Sequence, residues 1–166
     1  MGCGLSGVRQ GSEQLDPGVK KRAMAYRYLE DIAIADIAFE ATGRDLNELF
    51  TSAADATMNV MIENIESIEG REGRDIELKS GEPDMLLFDL LQEIIYYKDA
   101  EQLLLRIKDV TISEGGGSYL LRAMGIGERL DPKRHEQRAD VKAVTLHHFK
   151  VEKAQGIWRA QVILDV

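Results

Sequence analysis

Two acids far apart in the chain are the residues whose type and setting fit metal chemistry. One is Asp36, in "IADIAFE" (Ile34 to Glu40). The other is Asp165, in the closing "QVILDV" (Gln161 to Val166). Carboxylates are hard oxygen donors, and a cation such as calcium gathers about six to eight oxygens. Two aspartates supply too few alone; backbone carbonyls, water and the terminal carboxylate of Val166 would complete such a shell. Strand alternation puts Asp36 with Ala38 and Glu40, opposite Ile37 and Phe39. The same rule puts Asp165 with Arg159, Gln161 and Ile163, opposite the apolar row Trp158, Ala160, Val162, Leu164 and Val166. Spacing alone does not bring the two acids together, and a solvated acid at a strand end is the ordinary reading of Asp165.

Other chemistry is poorly served. No P-loop, GxSxG or HExxH pattern occurs, and "GIGERL" lacks the third glycine of a dinucleotide fingerprint. The one cysteine, Cys3, cannot form an internal disulfide and lies in a Gly- and Ser-rich leader. His147 and His148 are adjacent, and adjacent strand residues face opposite sides. They are therefore expected to be ordinary strand histidines, one packing with Thr145, Phe149 and Val151. Arg122, Arg129, Lys133, Arg134, His135 and Arg138 form a basic cluster, but Glu128, Asp131, Glu136 and Asp140 are interleaved with it. A solvated loop is expected there rather than an anion site. No nucleophile stands beside a base.

The 166 residues carry a formal charge of -8, which disfavours binding nucleic acid or anionic membrane through the whole surface. No apolar run is long enough to span a bilayer, and the cysteine usage points to an intracellular, cytoplasmic protein. Residues 1–23 lack periodicity and read as a disordered extension, with residues 24–166 as one domain. "MGCGLS" at the start matches the myristoylation pattern on motif alone.

These candidates must be positioned by a small number of elements. An irregular start leads to a strand ending at Glu40. Asp45 and Glu48 then make a capping pattern for an amphipathic helix carrying Leu46, Leu49, Phe50, Ala53, Thr57, Val60 and Met61 inward. A charged connector precedes a short strand over 76–80. Pro83 opens a second helix, "DMLLFDLLQEIIYYKD", apolar over more than half its circumference and so largely buried. Strand signals follow: "EQLLLRIKDVTIS", a turn at "EGGG", "SYLLRAMGIG", a polar loop over 128–140, and a final pair joined around "AQG". Strands and segregated helices make an α+β fold: one domain, a mixed or antiparallel sheet, two main helices on one face.

Three stretches resemble the archease family: "ADIAFEATGRDLNELFTSAADATMNVM", "LLFDLLQEIIYYKD", and "GERLDPKRHEQRADVKAVTLHHFKVEKAQGIWRAQVILDV". The likeness covers about Tyr26 to Val166 and is most specific in the C-terminal half. It implies a protein cofactor, and no enzyme: an activator of the GTP-dependent RNA ligase of tRNA splicing and RNA repair, promoting ligase guanylylation and repeated turnover. That ligase would be the partner, with tRNA and GTP engaged through it and no membrane involved. The family's metal-binding acid falls on Asp36 and its C-terminal acid on Asp165. Val166 supplies a further oxygen for a calcium-like divalent cation, and the family's functional lysine falls on Lys142. The family's usual "HTADIG" here reads Ala33 to Ala38, without the motif histidine and threonine. Two rival readings remain: a metal-dependent phosphoesterase or nuclease using the same acids, and a general protein chaperone.

Overall fold

A computed structural model describes residues 25–29 and 36–166; the expected N-terminal extension and the lipidation motif lie outside them. The described strands are β1 (Tyr26–Leu29), β2 (Ile37–Gly43), β3 (Glu72–Ser80), β4 (Leu103–Gly115), β5 (Ser118–Arg129), β6 (Ala143–Ala154) and β7 (Ile157–Asp165). Two helices, α1 (Leu46–Met61) and α2 (Pro83–Glu101), separate β2, β3 and β4. The class is α+β, but the strands form two antiparallel sheets rather than one. One has the order β1-β2-β7-β6 and the other β3-β5-β4. Alternation in a sequence reports which face of a strand is buried, not which strand it pairs with. β1 and the first four residues of β3 are charged or short, and were not legible as strands.

Both helices touch both sheets, so one apolar core is shared. The cap of α1 forms as its sequence suggests: Asp45 accepts the Glu48 N–H at 2.8 Å. Its inward residues Leu49, Phe50, Ala53, Thr57, Val60 and Met61 are all buried. Leu86, Leu87, Leu90, Leu91, Ile94 and Ile95 bury the inner side of α2. Each such side chain contributes about 1.5–3 kcal/mol through removal from water. Lys98, in the last turn of α2, is only 8% exposed, with its ammonium 3.6 Å from the Asp140 carboxylate. In the second sheet, β4 approaches β5 so closely at Gly127 that a Cβ there would sit 1.6 Å from the Leu104 carbonyl oxygen.

The loop between β5 and β6 delivers Lys142 to the first sheet, and it is fastened rather than free. Arg138 and Ala139 donate their N–H groups to the carbonyls of Met61 and Val60, satisfying the open end of α1. Further back, Glu128 and His135 are 4% and 1% exposed. The Asp131 N–H donates to His135 Nδ1 at 2.9 Å, so the ring proton resides on Nε2 and is donated to Glu128 Oε2, also at 2.9 Å. The same carboxylate accepts the Glu69 N–H at 2.8 Å and the Arg134 guanidinium, and Arg71 lies 3.3 Å from its other oxygen. Burial pushes this carboxyl's pKa up, but the Glu69 N–H, Arg134 and His135 outweigh it and hold the group at about 2.

A folded-state pKa below the unfolded value gives stability that is full above about pH 4.5 and lost as pH falls toward 2. Glu128→Gln is expected to lower urea stability at pH 7 by about 3 kcal/mol, because Arg134 loses its counter-charge and the buried His135 and Glu69 N–H donors lose a charged acceptor. The variant should also lose less than the parent between pH 7 and pH 3. Equal losses would show that Glu128 does not set the acid limb.

Candidate cation site at the end of the first sheet

The central pair of the first sheet, β2 with β7, brings the two candidate acids to one end. Ile37 pairs with Leu164, Phe39 with Val162 and Ala41 with Ala160. Asp36 directly precedes Ile37 and Asp165 directly follows Leu164, so both acids lie at this end of the pair. The same alternation sends Phe39, Ala41, Ala160, Val162 and Leu164 into the core. The opposite face is not uniformly wet: Ala38 and Ile163, which pair with each other, are both buried.

Asp36, Asp165 and Val166 are half-buried, and Val166 packs in part against the core. Among the described residues, neither aspartate side chain makes an ion pair or a hydrogen bond. The Asp165 carbonyl oxygen is already engaged by the Lys142 N–H at 2.8 Å. Among the described residues, the Asp36 and Asp165 side-chain carboxylates are the unengaged acids at this end. Like charges gathered at one sheet end repel. The donor set therefore suits a hard cation, while falling short of a full protein cage. No cluster of three or more His, Cys, Asp or Glu side chains with metal-ligand geometry occurs among the described residues.

Lys142 lies exposed where the chain enters β6, tied by its own N–H to Asp165. The sequence-expected set, Asp36, Asp165, Val166 and Lys142, thus gathers at one sheet end. The basic cluster does not join it. Arg122 pairs with Glu77, Arg129 with Glu72, Arg134 with Glu128 and Arg138 with Glu63. A cleft of about 380 Å³ beside Arg71, Arg129 and Arg134 is lined as well by Glu72, Glu128 and Asp131, so its charge is balanced. His135, expected in a solvated loop, is buried instead; the acid and backbone N–H that hold it sit too close in sequence to stand out from an ordinary polar run.

The two adjacent histidines also depart from expectation. Four residues, Leu146 to Phe149, stand where β7 has only Val162 between the pairs Thr145–Ile163 and Lys150–Gln161. This bulge breaks the alternation, and His148 adopts a left-handed φ of 57°. Both imidazoles end on the solvent side, exposed, with ring centroids 4.0 Å apart; neither packs in the core.

The model of the Archease protein family matches residues 26–166. The protein archease of Pyrococcus abyssi is 36% identical over 133 residues, which cover 80% of this chain and 93% of that one. The solution structure of Methanobacterium thermoautotrophicum protein 1598 superposes with a TM-score of 0.75 at 33% identity, covering 86% of this chain and 99% of that one. A Thermotoga maritima structure titled an archease and possible chaperone shares the fold, with a TM-score of 0.54 at 19% identity over 84% of this chain and all of that one. With the match running from β1 through the two acids to the last residue, the chain belongs to the archease family.

Proposed function

We propose that this protein is a non-catalytic activator of a GTP-dependent RNA-splicing ligase, promoting its guanylylation and repeated turnover, and that it works through a divalent cation at Asp36, Asp165 and Val166. The observation that supports the reading is the β2–β7 register, which pairs Ile37 with Leu164 and so leaves Asp36, just before β2, and Asp165, at the end of β7, at one end of the sheet, neither side chain engaged among the described residues. Bound there, a calcium-like ion would supply positive charge able to meet phosphate or a partner's acid. The chain's own residues do the positioning. The core-facing row of β7 fixes Asp165 to one face, and the pinned 128–140 loop fixes Lys142 beside it. An incomplete shell leaves coordination places open to a partner, which suits a helper acting on another protein's site better than a closed structural ion. Lys142 presents a flexible ammonium as an ion-pair or phosphate contact.

With the host's ligase limiting and RNA ends bearing phosphate or cyclic phosphate, added protein should carry product beyond one turnover per ligase. Asp36→Ala and Asp165→Ala should each abolish that gain. Turnover of RNA or nucleotide by the purified protein alone, lost in Asp165→Ala, would replace this reading with a phosphoesterase.

Without divalent cation, Asp165→Asn should melt no lower than the parent, since it removes a like-charge pair. With calcium, only the parent should gain, by RT ln(1 + [L]/Kd). Melting that collapses in Asp165→Asn under both conditions would make the acid structural. Lys142→Ala is expected to cut activation at least tenfold without shifting the calcium-dependent melting gain. A loss of that gain would move Lys142 from partner contact to support of the ion site.

A further inference from the structure

Among the described residues, two large apolar side chains stand exposed: Tyr96 at 56% and Leu146 at 59%. They belong to different elements but to one seam. Asp84, Phe88, Gln92 and Tyr96 follow one another at four-residue spacing on α2, which makes a row along the helix. The first three members grip β6. Asp84 Oδ2 accepts the Val151 N–H at 3.4 Å, Phe88 meets Phe149 edge-on at 5.6 Å, and Gln92 Oε1 accepts the Val144 N–H at 2.9 Å.

One further helical turn advances about 6 Å, close to two strand residues. Tyr96 therefore emerges at the level of Lys142, beyond the last contact of the row. Its hydroxyl has no partner among the described residues. Leu146 lies between the Val144 and Phe149 contacts, turned outward by the bulge that also exposes His147 and His148.

On the α2 side of this seam the charges without an ion pair among the described residues are acidic, while Lys142 stands exposed at its β6 end. Asp89, Glu93 and Asp99 lie on α2 and make no ion pair among the described residues. Asp140 is tied only to buried Lys98. Unneutralised acids around apolar anchors fit a surface that supplies cations at its rim and hollows at its centre.

We propose that the α2–β6 seam, anchored by Tyr96 and Leu146, is a docking surface for a folded protein whose own contact face is basic with apolar hollows. The inference rests on the proposed function, because a ligase that holds RNA ends needs such a basic face. Docking here would bring Lys142, and with it the Asp36–Asp165 end, against the ligase. RNA itself is the wrong occupant, since phosphates would meet the acids. Tyrosine is among the side chains on which binding energy concentrates when a partner desolvates them, and exposed Leu146 adds apolar area beside it.

The test uses the full chain and the host's RNA-splicing ligase, with affinity read by calorimetry at two salt concentrations. Tyr96→Ala and Leu146→Ser should each weaken binding at least tenfold while melting as the parent does. The pair Asp89→Lys with Glu93→Lys should weaken it and flatten its salt dependence. Parent-like affinity in all three variants overturns the docking surface; if Asp165→Ala still abolishes activation there, the proposed function stands. A parent protein that does not bind the ligase sinks both. Binding of free RNA that is lost in Leu146→Ser, or a dimer of this chain that the same change dissolves, assigns the seam another occupant and overturns the proposal. Equal binding to an unrelated basic protein such as lysozyme does so as well.

Discussion

The pairing register of β2 with β7 is the constraint on which the site depends. Side-chain direction in a strand has a period of two, so a slip of one residue would carry the whole inner row to the outside. Phe39, Ala41, Ala160, Val162 and Leu164 are buried by that register and hold it in place. The hydrophobic effect along the strands thus locates two polar residues at their end. Asp36 and Asp165 need no mutual attraction to reach the same end of the sheet; the strands on either side of Ile37 and Leu164 carry them there.

The remaining elements extend this placement. The open carbonyls of α1 are met by the loop that leads to Lys142, so a helix cap and a strand entrance share one set of hydrogen bonds. Behind that loop, the Glu128 carboxylate gathers a backbone N–H, an arginine and a histidine in a buried knot. On the far side, α2 lies along β6 and satisfies strand donors with Gln92 and Asp84. A strand that would otherwise be an open edge is covered in this way. The end of the sheet therefore rests on three supports that carry no chemistry of their own.

How much of this was legible in the sequence follows from the range of each signal. Helical spacing and the Asp45 cap are local, and both helices were read from them. The inner and outer rows of β7 were also local, and Asp165 was placed off the apolar row. Strand partners are non-local, so one sheet was expected where two exist. The His147–His148 expectation failed for a related reason. It assumed unbroken alternation, and the three extra residues of the bulge cancel that assumption. Burial of His135 and Glu128 was hidden because buried polar groups look like surface ones until their partners are known. The joining of Asp36 with Asp165 was suggested by likeness to a family; the pairing register shows that both lie at one end of the first sheet.

The central claim is that this register holds a cation between the two strand ends. It is tested most directly by titrating calcium into isotope-labelled protein and following the backbone amides by NMR. The account predicts saturable shifts confined to Asp36–Ala38, Lys142 and Ile163–Val166, and their loss in Asp165→Asn with the rest of the spectrum unchanged. Amides at the β2–β7 end that stay unmoved at millimolar calcium, or shifts that persist in Asp165→Asn, would contradict it.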